Sequence, residues 1–170
     1  MMDRRTGLEM PTDVAVAATS RHALAKLGRL NGIARYEPRT ALVLWPRAAG
    51  GAEVWAAPES KSYRRIWAAA AQAGAVSNLE EYGPGTDVDH VFPKSWARKH
   101  GEITHVRLFP VWGEVNRSAG AGREKHELSL PGPGPKAVGG LIFARDLQLM
   151  KMLGHPVGSA NHPEILFGMR

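Results

Sequence analysis

The segment Asp87-Val88-Asp89-His90 constrains the fold of this chain more than any other. It lies in GTDVDHVFPKSW, residues 85–96, where two acids and a histidine are followed at once by apolar residues and a proline. A carboxylate and an imidazole held at a strand end near a core lose their hydration, which is unfavourable unless polar groups or a metal ion replace the water. The fold must therefore supply either a polar neighbourhood or a metal site around these residues.

Composition narrows the class of protein. The 170 residues suffice for one domain, or one domain with a small annex, and for a sizeable core. The chain has no cysteine, which excludes disulfides, cysteine-bound zinc and thiol catalysis. Lysine and arginine number 22 against 16 acids, which gives a net charge of +6. This excess indicates a polyanionic partner, with nucleic acid as the first candidate.

Nothing in the sequence predicts contact with a membrane. No stretch approaches 18 consecutive apolar residues, so no transmembrane helix is expected. Residues 1–13 read as a polar leader, and no apolar stretch follows their basic residues as it would in a secretory signal peptide. We therefore expect a cytoplasmic protein that does not associate with membranes.

The first 80 residues predict a helix, a hairpin and a second helix. Apolar residues at three-to-four spacing predict a helix over 14–30 that ends at Asn31-Gly32. Residues 40–46 and 52–58 predict two short strands, joined as a hairpin through RAAGG. An alanine-rich helix follows to about residue 73, with Ser60 as its N-cap. We expect this segment to pack on the rest of the protein.

The last 40 residues predict a linker, a helix and an irregular tail. The segment LPGPGPK, residues 130–136, fits neither a helix nor a central strand and is predicted to be a linker. Residues 138–153 predict an amphipathic helix ended by Gly154 and Pro156. The chain thus divides into residues 1–80, 81–130 and 131–170, and the middle segment carries the chemistry.

Three side chains of the middle segment could meet at one cation. The carboxylate of Asp89 and the amide oxygen of Asn116 are oxygen ligands of the kind that Mg²⁺ and Mn²⁺ favour. His90 points away from Asp89 if both are extended, because side chains alternate along a strand, but a bulge or a strand end would let both address one site. A strand, a loop, a second strand and a helix would then close around the ion.

DVDHVFPKSW followed by HVRLFPVWGEVNRSAGAGREK resembles the HNH family of ββα-metal (His-Me finger) endonucleases, across residues 86–125. The resemblance implies an α+β fold in which a ββα-metal finger core is flanked by additional helices and an N-terminal β-hairpin. It also implies hydrolysis of a phosphodiester with one divalent ion, Mg²⁺ or Mn²⁺. In that scheme Asp89 and Asn116 hold the metal and His90 is the general base. His105 stands where the family has its middle asparagine, so it would brace the loop.

Two further sets of residues could assist at this site. Lys94 and Arg117 are expected to bind phosphate, because they neighbour the turn after His90 and the predicted ligand Asn116. His126 is an alternative metal ligand. In an unbroken helix it would lie roughly 15 Å from Asn116, so it could reach the ion only if the glycines between them break that helix.

Two functions follow from these expectations. The first is a metal-dependent endonuclease, with DNA favoured over RNA as the substrate. The second is a non-catalytic nucleic-acid-binding module that keeps the finger as a scaffold. The intact trio Asp89, His90 and Asn116 favours the nuclease, because a binding module has little need for all three.

Overall fold

The structure is a computed structural model that describes residues 14–36, 39–47, 51–99, 101–120 and 136–154. Within these residues the fold is a mixture of α and β structure, built on an eight-stranded antiparallel sheet that curls into a half-barrel. The sheet draws strands from all three segments into which the sequence divides.

Short elements make up this fold. The strands are β1 (Ala15–Ala18), β2 (Gly28–Gly32), β3 (Leu42–Pro46), β4 (Glu53–Ala56), β5 (Thr86–His90), β6 (His105–Trp112), β7 (Ala137–Val138) and β8 (Leu141–Phe143). The helices in the described ranges are α1 (Arg21–Ala25), α2 (Tyr63–Gln72), α3 (Lys94–Lys99), α4 (Gly113–Gly120) and α5 (Asp146–Met152), with a 3₁₀ turn at Leu79–Tyr82.

Strand β6 is the centre of the sheet. The strand order is β2-β3-β4-β6-β1-β8-β7, and β5 also pairs with β6. Val106 pairs with both β4 and β1, and Leu108 pairs with both β4 and β5. One edge of β6 therefore carries β4, while β1 and β5 share the other edge, one after the other.

The predicted helix over residues 14–30 is wrong. The segment forms β1, the short helix α1 and β2 instead. All four residues of β1 are buried because β1 pairs with β6 on one side and β8 on the other. Ser20 then begins α1 by accepting a hydrogen bond from the Ala23 amide, at 3.1 Å. Sheet pairing with distant strands thus overrides the local helical spacing.

The predicted helix over residues 138–153 is also wrong in its first half. Val138 pairs with Leu141 in a tight β7–β8 hairpin. Gly139 and Gly140 between them have φ angles of 59° and 85°, in the left-handed region that two-residue hairpin turns require. The helix α5 begins only at Asp146.

The prediction for the hairpin and the second helix is confirmed in outline. Strands β3 and β4 pair antiparallel, as expected for residues 40–58. Helix α2 forms as predicted and buries Ile66, Trp67 and Ala70. Its N-cap is Ser62 rather than Ser60, whose hydroxyl instead accepts a hydrogen bond from the Ser62 amide at 3.2 Å.

The packing of α2 and α5 against the sheet positions the middle segment. One core cluster joins Ile66 and Trp67 of α2 to Val88 of β5 and Leu108 of β6. Burying an apolar side chain of this size contributes about 1.5–3 kcal/mol. Helix α5 contacts β6 and also α4. In the described part of the chain, no helix is long and apolar enough to cross a membrane.

Candidate active site at the end of strand β5

The middle segment forms a hairpin followed directly by a helix. Strands β5 and β6 are antiparallel, with His90 opposite Leu108 and Thr86 opposite Trp112. The connection between them contains α3, and α4 begins at Gly113, whose amide donates to the Gly85 carbonyl at 2.9 Å. The start of α4 therefore lies at the Thr86 end of the hairpin, and Asp89 and His90 lie at the other end.

Asp89 lies against the C-terminal helix. Its carboxylate forms an ion pair with the ammonium of Lys151, on α5. The Lys151 side chain is only 1% exposed and that of Asp89 is 21% exposed. A buried ammonium needs such a partner, because an unpaired charge in this position would be strongly unfavourable. Asp89 thus binds a cation, and this cation belongs to the protein.

His90 lies against a different helix. The edge of its ring packs on Tyr63 of α2, with ring centroids 4.8 Å apart. This arrangement follows from the extended conformation of β5, in which Asp89 and His90 alternate between the two faces of the strand. No bulge turns the two side chains to one face, since every residue of β5 pairs in register with β6.

His90 is buried without hydrogen bonds. The residue is 3% exposed, and neither ring nitrogen makes a hydrogen bond of normal geometry among the described residues, although the Ala57 carbonyl is near enough to interact with the ring. Burial, followed by the charge of Lys94, lowers the pKa of His90 to about 4. The Asp89 carboxylate and the Ala57 carbonyl oppose this shift, and Lys151 adds to it. The imidazole is therefore neutral at physiological pH, with a lone pair that no neighbour uses.

Lys94, one of the two predicted phosphate ligands, lies close to His90. Its ammonium lies over the ring of Tyr63, 4.7 Å from the centroid, and the residue is half-buried. Tyr63 thus contacts both the imidazole and the ammonium. An anion bound by Lys94 would be held near His90.

Asn116 and Arg117 lie in the first turns of α4, and the position of that helix places them. Asn116 is half-buried, on a helix that contacts both β5 and α5, the elements of the Asp89–Lys151 pair. Arg117 is exposed, and its guanidinium lies beside Gly113 at the opposite end of β5 from His90. Of the two predicted phosphate ligands, Lys94 is therefore next to His90 and Arg117 is remote from it.

His105 makes hydrogen bonds through both ring nitrogens. Its Nε2 donates to the Arg39 carbonyl at 3.0 Å, and its Nδ1 accepts from the Thr104 hydroxyl at 2.7 Å. Burial lowers its pKa, so this neutral tautomer is the stable form. His105 therefore braces the segment before β3 as well as its own neighbour, Thr104.

The carboxylate of Asp89 suits a hard cation, but few other metal-binding side chains lie near it among the described residues. In the ranges that the structure describes, no group of three histidine or acidic side chains gathers around one point. A metal site made of one aspartate, one asparagine and water molecules contains only one acidic side chain, so it would not appear as such a group. The alternative ligand His126 lies outside the described residues.

Sequence reasoning missed Lys151 and the role of Tyr63. Leu147, Met150 and Lys151 have the spacing of one helical face, and all three are buried. A lysine at such a position indicates a buried acidic partner. Its identity could not be read from the sequence, because Asp89 lies 62 residues away.

Comparisons of this chain with protein-family models, with curated proteins and with solved structures give no match.

Proposed function

We propose that this protein is a metal-dependent endonuclease that hydrolyses phosphodiester bonds in DNA, with His90 as the general base. The observation that carries the proposal is the buried, neutral imidazole of His90, whose ring nitrogens make no hydrogen bond. A structural histidine is normally satisfied by its neighbours. A general base instead needs a free lone pair on a neutral ring, which His90 has.

The metal would be held by Asp89, with Asn116 as the second protein ligand. Both supply the oxygen atoms that Mg²⁺ and Mn²⁺ favour, and the Asp89 carboxylate already neutralises a positive charge, that of Lys151. Because Asp89 and His90 lie on opposite faces of β5, the phosphate would have to span the end of the strand for the ion to stabilise charge on it and on the leaving oxygen. Asp89 could bind the metal ion only if the ion displaced the Lys151 ammonium from its carboxylate.

His90 would take a proton from the attacking water. A pKa of about 4 makes the imidazole a weak base while the site is closed. A bound phosphate brings negative charge to the site, and nearby negative charge raises the pKa of a histidine. Substrate binding would therefore bring His90 closer to the proton affinity that a base at neutral pH requires.

Lys94 would bind the phosphate on the side of the strand that faces α2. Its ammonium lies over the aromatic face of Tyr63, a contact worth about 0.5–1 kcal/mol at an exposed site, and it also attracts the exposed Glu59 carboxylate. A charge-assisted hydrogen bond to phosphate is stronger. The phosphate would draw the ammonium away from Tyr63 and open a way to His90.

A non-catalytic nucleic-acid-binding module is the second candidate. Two observations favour it: Lys151 already occupies the Asp89 carboxylate, and Asp89 and His90 lie on opposite faces of β5. The net charge of +6 fits either function.

Plasmid cleavage in Mg²⁺ or Mn²⁺, with EDTA as the control, tests the proposal. We expect His90→Ala to lower the cleavage rate by at least ~100-fold, the usual scale for a general base, and Asn116→Ala to raise the metal concentration that half-maximal cleavage requires. DNA affinity should be unchanged in His90→Ala. His22→Ala, which removes an exposed histidine of α1, is the matched control and should cleave as wild type does.

Equal cleavage by His90→Ala and wild type would overturn the role of His90. Wild-type protein that binds DNA in a salt-dependent manner, but cleaves neither DNA nor RNA in either metal, would favour the binding module instead.

A further inference from the structure

Two exposed aromatic residues, Trp112 and Tyr82, are joined by a hydrogen bond at the end of the hairpin opposite His90. Trp112 is 55% exposed and Tyr82 is 39% exposed. The indole Nε1 of Trp112 donates to the backbone carbonyl of Tyr82 at 3.3 Å. The indole is thus held in one orientation although most of it faces solvent, and a fixed exposed ring loses little conformational entropy when a flat ligand stacks on it.

A groove begins at Tyr82 and runs along β6. Its volume is about 550 Å³, and Trp67, Asn78, Tyr82, Arg107 and Pro110 are among its lining residues. The volume lies within the range of small-ligand pockets. The groove offers aromatic and amide side chains together, which suits a planar ligand with polar edges.

Arg107 gives this groove a hydrogen-bond donor without a partner. Its Nη1 bonds the Glu53 carboxylate at 2.9 Å, whereas its buried Nε has no hydrogen-bond partner among the described residues. Because Glu53 neutralises the charge of Arg107, a neutral acceptor suits the free N–H better than an anion does. Carbonyl and ring-nitrogen acceptors on the edge of a nucleobase have this chemistry.

We propose that Tyr82, Trp112 and the adjoining groove bind the bases of a single-stranded nucleic acid. The proposal rests on the proposed function and names the form of its substrate. Bases of a single strand stack on Trp112 and Tyr82, and one base enters the groove beside Arg107. The exposed guanidinium of Arg117, which lies beside Gly113 just after Trp112, contacts the phosphate backbone.

The position of this surface fits a strand that continues to His90. Thr86, opposite Trp112, and His90 are four residues apart along β5, which corresponds to about 13 Å. A duplex keeps its base faces stacked inside the helix, so only an unpaired strand can use the aromatic rings. The phosphate that reaches Lys94 and His90 would therefore belong to an unpaired region.

Fluorescence anisotropy of labelled oligonucleotides in EDTA tests this proposal without cleavage. The probes are a single-stranded DNA of mixed sequence and the duplex of the same sequence. We expect Trp112→Ala and Tyr82→Ala each to weaken single-strand binding by about tenfold, the scale of one lost stacking contact, and to leave duplex binding unchanged. Trp112 is exposed, whereas the ring of Tyr82 also packs against the buried Trp67, with ring centroids 6.3 Å apart, so circular dichroism and thermal unfolding must show that both variants keep the fold.

Trp45→Ala is the matched control. Trp45 is also exposed, at 36%, and also has an arginine nearby, with Arg29 5.9 Å from its ring, but it lies on β3. It should bind single strands as wild type does. The proposal is overturned if Trp112→Ala and Tyr82→Ala bind like wild type, if Trp45→Ala loses as much, or if wild type binds no single strand.

Failure of this surface and failure of the nuclease give different results. Single-strand binding that depends on Trp112 and Tyr82, without cleavage in the presence of metal, would support the single-strand-binding surface and contradict the nuclease proposal. Cleavage that depends on His90 but is indifferent to Trp112 and Tyr82 would do the reverse.

Discussion

The end of β5 and the start of β6 each bury a histidine, but the two histidines differ in their hydrogen bonds. His90 and His105 are each 3% exposed, and burial lowers the pKa of both. His105 uses both ring nitrogens in hydrogen bonds, whereas His90 uses neither. The same residue type at the same depth is therefore satisfied in one place and unsatisfied in the other.

This difference separates what stability explains from what it does not. An unsatisfied buried polar group costs about 1–3 kcal/mol. His105 avoids that penalty and links two distant segments, so the fold alone accounts for it. His90 incurs the penalty, and the Asp89–Lys151 pair beside it also buries charge. Among the described residues, the end of β5 is thus one place where buried polar groups lower stability, as is the buried Nε of Arg107.

The pH dependence of stability gives the largest expected effect. In the folded protein the pKa of His90 is about 4, below the ordinary value of 6.5. As pH falls below about 6.5 the unfolded chain takes up a proton that the folded protein does not, so stability is lost until about pH 4. The loss attributable to His90 is at most about 3 kcal/mol. Urea unfolding at pH 7 and pH 4.5 measures it.

The variant His90→Phe is the control for that measurement, because it removes the titrating group. It should lose less stability than wild type between the two pH values. An identical loss in both proteins would show that His90 does not titrate abnormally.

Removing Asp89 gives the next largest effect. Asp89→Ala leaves the buried Lys151 ammonium without its carboxylate, and we expect a loss of about 2–3 kcal/mol in the free energy of unfolding. This is below the full value for a buried pair because Asp89 is 21% exposed. The matched control is Glu59→Ala, which breaks the exposed pair with Arg98 and should leave stability nearly unchanged, because water screens that pair. Equal effects of the two substitutions would mean that β5 ends in an ordinary surface ion pair.

The same substitution at both histidines gives the smallest effect. His105→Phe removes the hydrogen bonds to the Arg39 carbonyl and to the Thr104 hydroxyl and leaves that carbonyl without this donor, so we expect a loss of about 1–3 kcal/mol at pH 7. His90→Phe removes no hydrogen bond and relieves an unsatisfied buried polar group, so it should leave stability unchanged or raise it. Thermal unfolding of the two variants beside wild type makes the comparison. A greater loss at residue 90 would reverse the distinction between the two histidines.

The parts of the fold that the sequence predicted are those set by local signals. The β3–β4 hairpin is bounded by proline and glycine, and α2 shows its buried face in the spacing of Ile66, Trp67 and Ala70. The β7–β8 turn also had a local signal, the glycine pair after Val138, but the apolar spacing of the residues that follow outweighed it in the prediction.

Non-local pairing decided the parts that the sequence could not predict. A short apolar run such as Ala15–Ala18 has the same appearance in a buried strand and in a buried helix. Its conformation is set by β6 and β8, which lie far along the chain. The candidate site divides in the same way. Asp89 and His90 were recognisable from their neighbours in sequence, whereas the Lys151 partner depends on how α5 docks.

The dependence of β1 on distant strands also bears on how the chain folds during synthesis. Ala17 pairs with Val106 and with Ile142, so β1 gains its two neighbours only after most of the chain has left the ribosome. Contacts between such widely separated residues slow folding, and an unpaired strand invites association with other chains. The nascent protein should therefore need protection of its first strand until the β7–β8 hairpin emerges.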